Sequence, residues 1–128
     1  MPKKGKFDSE AFYERLLKFG QDCQRLTSKL PKTDFNKVYV DQLLRSSASP
    51  GSNYIEALEA LSKKDFSHRL RICRKETRES IHWLRLVQGA NNNLLEELKK
   101  ECKRLYLEGR EIIKILSASI LTLEKQNR

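Results

Sequence analysis

The sequence predicts an all-α protein that folds as an antiparallel up-down four-helix bundle. The 128 residues include only three prolines and five glycines, and helix-favouring Leu, Lys, Arg and Glu dominate. Apolar residues recur at steps of three and four along four separate segments. Short polar connections join these segments, and long amphipathic helices joined in this way pack most simply side by side in alternating directions.

The chain length predicts one domain, because 128 residues suffice for one sizeable core but are short for two. We expect residues 1–7, which are rich in lysine, to form a flexible basic arm and residues 8–128 to form the bundle. The N-terminal stretch is polar, and no apolar run has the length of a membrane span. A cytoplasmic protein without a membrane partner is therefore expected.

The first helix is expected to begin after Asp8 or Ser9, either of which can cap it, and to end before Pro31. Its apolar residues follow the four-and-three spacing of a heptad seam. They are Phe12, Leu16, Phe19, Cys23, Leu26 and Leu30.

The second helix is expected to begin near Phe35, after a cap at Thr33 or Asp34, and to continue to about Leu61. The sequence SPGS around Pro50 is typical of a turn, but the apolar spacing continues across it. We therefore predict one helix that is kinked near Pro50, because a proline inside a helix removes one backbone hydrogen bond. Residues 62–65 are expected to connect it to the third helix.

The third helix, residues 66–87, carries three stripes about 100° apart. The core stripe comprises Phe66, Leu70, Cys73, Thr77, Ser80, Leu84 and Val87. The basic stripe comprises Arg71, Arg74, Lys75, Arg78, His82 and Arg85. The third stripe comprises Ile72, Glu76, Glu79, Trp83 and Leu86.

A loop is expected at residues 88–93, with Gly89 as the C-cap of the third helix. The fourth helix then begins near Leu95 and carries apolar residues at steps of three and four as far as Leu123. Gly109 lies on this apolar stripe, which suggests that the backbone of a neighbouring helix approaches closely there.

The three cysteines, Cys23, Cys73 and Cys102, each lie on the apolar stripe of a different helix. Their odd number and the absence of CxxC spacing favour neither disulfides nor a zinc site, so buried thiols are expected. Glu79 and His82 match the Glu-x-x-His spacing of di-iron bundles, but such a site needs a second copy on a facing helix. We expect no metal, no other cofactor and, without a recognisable nucleophile and base, no enzyme.

The charge of the chain predicts a polyanionic partner, since the formal net charge is +9. The basic stripe contains no acidic residue, so pairing between residues four apart cannot neutralise it. This pattern favours contact with the phosphates of a nucleic acid over a merely solvated helix face.

The third stripe is interpreted as an oligomer interface, because Ile72, Trp83 and Leu86 are apolar or aromatic residues outside the core stripe. A tryptophan enclosed in a wide monomer core is the alternative. Arg45, Asn53 and Glu56 on the second helix are interpreted, together with Glu76 and Glu79 on the third, as a buried polar network rather than solvated flanks.

Two segments carry a family resemblance: RSSASPGSNYIEA at residues 45–57 and KETRESIHWLRL at residues 75–86. They resemble the bacterial four-helix-bundle proteins first noticed in intervening sequences of 23S ribosomal RNA genes, with weaker similarity over residues 12–123. The matching positions of the two motifs are Arg45, Ser49, Pro50, Asn53, Glu56, Glu76, Glu79, Trp83 and Leu84, which we interpret as structural and interface positions.

The resemblance implies a left-handed bundle that assembles into a homopentamer and has no known enzymatic activity. A related branch comprises accessory proteins of diversity-generating retroelements, which are basic pentamers that bind nucleic acid together with a reverse transcriptase. We therefore expect a pentameric protein that binds nucleic acid, RNA more than DNA, through phosphate contacts. The alternative is an adaptor oligomer that docks an acidic protein and binds no nucleic acid.

Overall fold

The computed structural model describes residues 7–126, which form four helices in the predicted all-α bundle. The helices are α1 (Ser9–Ser28), α2 (Asp34–Leu58), α3 (Lys63–Ala90) and α4 (Glu96–Gln126). The predicted basic arm lies outside the described residues except for Phe7. The ring of Phe7 packs edge-on against that of Phe12, with 5.5 Å between the centroids.

Each helix packs against two neighbours, so that α1 and α3 lie at opposite corners of the bundle, as do α2 and α4. Contacts between α2 and α3 join the start of one helix to the end of the other: Asn36 meets Asn91, and the Sγ of Cys73 lies 3.3 Å from the carbonyl oxygen of Pro50. These two helices therefore run in opposite directions. The left-handed twist and the kink near Pro50 stay predictions, whereas the continuity of α2 through Pro50 is confirmed.

Side-chain caps fix where three of the helices begin. Asp8 accepts a hydrogen bond from the backbone N–H of Ala11 at 3.0 Å, and Thr33 accepts one from Asn36 at 3.1 Å. Ser62 accepts one from Asp65 at 3.0 Å. Each cap satisfies an N–H group that the first helical turn leaves unpaired. Because Ser62 is a cap, α3 begins at Lys63, and the predicted connection over residues 62–65 is wrong.

The end of α3 also differs from the prediction. The helix continues to Ala90, so the first residues of the predicted loop are helical, and Asn91 rather than Gly89 is the C-cap. Asn91 and Asn36 exchange two hydrogen bonds of 2.7 and 2.9 Å, and the Asn91 amide also donates to the carbonyl of Val87 at 2.7 Å. This buried amide pair joins the start of α2 to the last turn of α3 and holds it in helical geometry.

The core follows the predicted stripes, with exceptions at two helix ends. All six seam residues of α1 and six of the seven core-stripe residues of α3 are buried, and Phe66 is partly buried. The second helix was expected to continue to about Leu61, but Leu58 and Leu61 are exposed, because α2 ends at Leu58. Leu95 is exposed as well, since it precedes the first residue of α4.

Two glycines lie where helices approach closely. A Cβ atom at Gly20 would lie 2.9 Å from the carbonyl oxygen of Ser47, so α1 and α2 meet through backbone there. A Cβ atom at Gly109 would lie 2.4 Å from Cγ2 of Ile81 and 3.5 Å from the ring of Phe19. The prediction for Gly109 was therefore right about close approach but wrong about its partner, which is a pair of side chains.

The three cysteines are buried and free, as expected. Burial raises the pKa of Cys23 and of Cys73 to about 12, and that of Cys102 to about 11. Thiols with raised pKa values stay protonated at neutral pH and are poor nucleophiles, which fits their position in the core. Within residues 7–126, no helix has an apolar stretch long and uniform enough to cross a bilayer.

Candidate nucleic-acid interface

The basic stripe lies on the outer face of α3, and its first two arginines contact α4. The guanidinium of Arg71 pairs with the carboxylate of Glu124 at 2.6 Å, and that of Arg74 donates to the hydroxyl of Ser117 at 3.2 Å. The expectation that the whole stripe stays without acidic partners is therefore wrong at Arg71. The acid comes from the neighbouring helix, which spacing along α3 could not reveal.

The remaining stripe residues are exposed and largely without partners. Lys75 forms only a weak ion pair with the adjacent residue Glu76, with 3.9 Å between Nζ and Oε1. Arg78 and Arg85 form no ion pair with any residue between Phe7 and Gln126. The ring of His82 stands edge-on to that of Trp83, with 5.0 Å between centroids. A shallow depression on the surface of α3 is lined by Arg71, Arg74, Lys75, Arg78, Glu79, His82 and Trp83.

Helical geometry divides the stripe into two parts. Arg78 and Arg85 lie within about 40° of Arg74 around the axis of α3, on the side that faces α4. Lys75 and His82 lie about 80–100° from Arg74 and are turned outward. The arginines therefore line the boundary between α3 and α4, and the lysine and histidine do not.

The facing side of α4 carries basic residues that the sequence analysis did not single out. Arg110 lies within about 20° and Lys114 within about 60° of Ser117 around the helix axis. The guanidinium of Arg110 donates to the hydroxyl of Tyr106 at 3.3 Å, and Lys114 lies 3.2 Å from Glu111 of its own helix. The three-and-four spacing that reveals the stripe on α3 would also have revealed these residues.

The third stripe of α3 faces α2. Arg45 of α2 reaches across to both carboxylates of this stripe, with 3.0 Å between its Nη1 and Oε2 of Glu76 and a hydrogen bond from its Nη2 to Glu79. The hydrogen bonds that Arg45 donates to Glu79 and Glu76 raise the pKa of Arg45 above its ordinary value. Glu76 is buried and Glu79 is partly exposed. The two glutamates of the predicted oligomer interface thus hold α2 and α3 together within one chain.

The other two residues of the predicted polar network lie apart from Arg45. Asn53 donates to the hydroxyl and the carbonyl of Ser49 and accepts from Arg69 at 3.3 Å. Glu56 is exposed and forms no hydrogen bond or ion pair with the part of the chain that the structure describes. The structure therefore brings Arg45, Glu76 and Glu79 together and leaves Glu56 outside.

An aromatic row crosses the outer surface of α2 and α3. The ring centroids of Trp83 and Tyr39 are 6.1 Å apart, and those of Tyr39 and Phe35 are 6.2 Å apart. Trp83 is partly buried against the core, and its buried Nε1 finds no hydrogen-bond acceptor among the described residues. Phe35 and Val38 are exposed at the end of this row. The row continues the partly buried surface of Ile72 and Leu86.

A buried carboxylate between α1 and α4 was missed by the sequence analysis. Asp22 is 4% exposed and is surrounded by three cations: Arg104 at 2.8 Å, Lys18 at 3.3 Å, and Arg25. Burial alone would raise the pKa of Asp22, but the hydrogen bonds from Arg104, Arg25 and Lys18 outweigh it and lower the pKa. The spacing of Lys18 and Arg25 at four residues before and three after Asp22 is the signal that could have revealed the site.

The Glu-x-x-His motif does not gather further ligands. Glu79 is bound to Arg45, and His82 lies against Trp83. Across residues 7–126 there is no group of three or more His, Cys, Asp or Glu side chains arranged to hold a metal ion.

Comparison with known proteins places this architecture in a family. The family model described as "23S rRNA-intervening sequence protein" matches residues 10–118. The chain belongs to this family. It is similar to the crystal structure of a protein with unknown function from the S23 ribosomal protein family of Bacteroides thetaiotaomicron VPI-5482. The two are 29% identical, with a TM-score of 0.74 over 88% of this chain and 96% of the other.

No curated protein matches the chain significantly. Neither the family description nor the description of the Bacteroides protein names an enzymatic activity. The family assignment therefore confirms the resemblance seen in the motifs on α2 and α3, and it leaves the biochemical role to be inferred from the surface of this chain.

Proposed function

We propose that this chain forms a cytoplasmic, non-enzymatic homo-oligomer that binds nucleic acid through phosphate contacts. The subunit number implied by the family resemblance is five. Several copies of a weak phosphate-binding surface on one particle increase the overall affinity through avidity. RNA is favoured over DNA because the family takes its name from an RNA, the 23S rRNA.

The observation that supports binding is the exposed and uncompensated positive charge on α3. Arg78 and Arg85 are solvent-exposed and lack ion pairs within residues 7–126. Elsewhere in the bundle, Arg15, Arg45 and Arg104 each pair with a carboxylate of another helix. Arginines that a protein leaves unpaired in a row are available for the phosphate oxygens of a nucleic acid.

The opposite flank of α3 supports self-association. It combines the exposed Phe35 and Val38 with the partly buried Ile72, Trp83 and Leu86. Apolar and aromatic residues beside an ion pair whose Glu76 carboxylate is buried are typical of an interface centre. Oligomerisation through this flank leaves the basic stripe on the other side of α3 open to a ligand.

The test is a titration of the purified protein with a fluorescent RNA hairpin and a DNA duplex at several salt concentrations, with light scattering to measure the oligomer mass. We expect the logarithm of the affinity to fall linearly with the logarithm of the salt concentration, by about 0.9 per neutralised phosphate on duplex DNA. The double variant Arg74→Glu/Arg78→Glu is expected to lose binding and to keep the mass of the wild type.

The control variant Lys32→Glu/Lys37→Glu changes the net charge by the same amount at the α1–α2 corner, where both lysines are exposed. We expect it to bind like the wild type. Equal loss in both variants would show that only net charge matters. If the wild type binds neither ligand at about 50 mM salt, nucleic-acid binding is refuted, and an adaptor oligomer that docks an acidic protein becomes the better hypothesis.

A further inference from the structure

We propose that the nucleic acid lies in the groove between α3 and α4, with one basic row on each helix and one sugar–phosphate backbone between them. The groove is lined by Arg74, Arg78 and Arg85 of α3 and by Tyr106, Arg110 and Lys114 of α4. We call it the α3–α4 groove. This inference rests on the proposed function and extends it to α4, which the basic stripe of α3 does not include.

The register of the two helices brings the basic rows face to face. Arg74 contacts Ser117, and Ile81 packs against Gly109, which fixes how α3 and α4 run past each other. Counting on from these contacts along antiparallel helices places Arg78 near the level of Lys114 and Arg85 at the level of Tyr106. Arg110 lies at the level of Ile81, between Arg78 and Arg85. Cations thus line both sides of the groove over about three helical turns.

Carboxylates are confined to the margins of the groove. Glu124 pairs with Arg71 at one end, and Glu111 lies on the far side of Lys114, about 120° from Ser117 around α4. Between these margins neither facing helix surface carries an acidic residue from 74 to 88 on α3 or from 99 to 117 on α4. The α1–α4 and α2–α3 seams each have carboxylates that pair with their arginines, whereas Arg74, Arg78, Arg85 and Arg110 form no ion pair within residues 7–126, and Lys114 pairs only with Glu111 of its own helix.

The geometry suits a sugar–phosphate backbone better than a folded acidic protein. The axes of adjacent packed helices lie about 8–10 Å apart, so the two basic rows run close together along the boundary between α3 and α4. The polar lining of the groove consists of arginine and lysine together with Ser117, which accepts a hydrogen bond from Arg74, and Tyr106, which accepts one from Arg110. One guanidinium group can bind two phosphate oxygens at once. Cations on both sides of a groove can therefore contact successive phosphates of one strand.

The experiment compares the salt-dependent affinity for the RNA hairpin among four proteins: the wild type, Arg74→Glu/Arg78→Glu, Arg110→Glu/Lys114→Glu and the control Lys32→Glu/Lys37→Glu. We expect both groove variants to lose at least about tenfold in affinity and about 1.4–1.8 in salt slope, which corresponds to two phosphate contacts. The control is expected to match the wild type. Circular dichroism and light scattering check the fold and the oligomer, and Arg110→Gln/Lys114→Gln serves as the milder variant if the charge reversal unfolds the protein.

The outcomes separate this inference from the proposed function. If only the α3 variant loses affinity, the proposed function stands and the groove is refuted. If only the α4 variant loses affinity, the basic stripe of α3 is refuted together with the two-sided groove. If neither variant loses affinity although the wild type binds, both assignments of the site fail.

Discussion

On the side of α4 that faces α1, each arginine at the seam meets a carboxylate, whereas on the side that faces α3 only Arg71 does so among residues 7–126. Arg15 of α1 forms two hydrogen bonds of 2.7 Å with Glu108, and Arg104 of α4 reaches Asp22 at 2.8 Å. Across the other flank, Arg78 and Arg110 have no carboxylate partner within residues 7–126. Arginines of α4 thus differ in role: Arg104 pairs with a carboxylate of α1, and Arg110 on the other side of the helix pairs with none.

The difference shows which charges stabilise the fold and which are left for a partner. A carboxylate buried among cations holds α1 against α4, and its loss leaves several positive charges close together. On the α3 side, like charges face each other in water and repel, which costs stability unless an anion lies between them. A change that removes charge should therefore destabilise the protein on the first flank and stabilise it slightly on the second.

The largest effect is expected from Asp22→Leu, which removes the buried carboxylate from Lys18, Arg25 and Arg104. We expect the free energy of unfolding to fall by about 2–3 kcal/mol, because removing one partner of a buried ion pair leaves uncompensated charge. The value is set below the usual range of about 3–5 kcal/mol because the three cations are half-exposed or more and water screens their charge. Urea denaturation at a fixed protein concentration measures it.

The matched control is Glu111→Gln on the exposed surface of α4. Glu111 is exposed and pairs only with Lys114, three residues along the same helix, so we expect a change below about 0.5 kcal/mol. Equal losses for the two variants would contradict the view that only the α1 flank uses its carboxylates to stabilise the bundle.

The second prediction concerns pH and again separates the flanks. The cations around Asp22 lower its pKa, so its contribution to stability is complete above the ordinary aspartate pKa of about 4 and is lost as the pH falls toward the native value. The free energy of unfolding of the wild type should decrease on acidification below about pH 4. Asp22→Asn should show a flatter dependence there, measured by urea denaturation across this range.

The control for the pH prediction is Glu97→Gln, because Glu97 is exposed and forms no ion pair with the described residues. It should follow the pH profile of the wild type. A wild-type profile that matches that of Asp22→Asn would show that Asp22 has the same pKa in the folded and unfolded chain.

The sequence predicted the fold closely because the bundle depends on a short-range repeat. The seam of α1 and the core stripe of α3 follow steps of three and four, and burial follows the same steps. The continuity of α2 through Pro50 was visible in the same way. The end of α3 was missed because Asn91 is held by Asn36, which lies 55 positions away in the chain.

The candidate site was less predictable, since charge balance depends on which helices are neighbours. Arg71 was interpreted as unpaired, but Glu124 lies beside it on α4. Glu79 was placed both in a subunit interface and in a polar network with Arg45; it binds Arg45 within the chain, and its place in an interface stays a prediction. Spacing along one helix shows which residues share a face, and only the packing of helices shows what that face meets.

The smallest effect has the opposite sign. We expect Arg78→Gln/Arg110→Gln to raise the free energy of unfolding of the ligand-free protein by about 0.3 kcal/mol at low salt, because it removes facing like charges. The gain should vanish near 1 M salt, where the screening length is about 3 Å. The same variant should bind the RNA hairpin more weakly than the wild type. If its free energy of unfolding falls rather than rises, these arginines support the fold. Arginines that lower the stability of the free protein but raise its affinity for RNA serve binding rather than folding. On the α1 flank of α4, by contrast, the charged residues raise the stability of the fold.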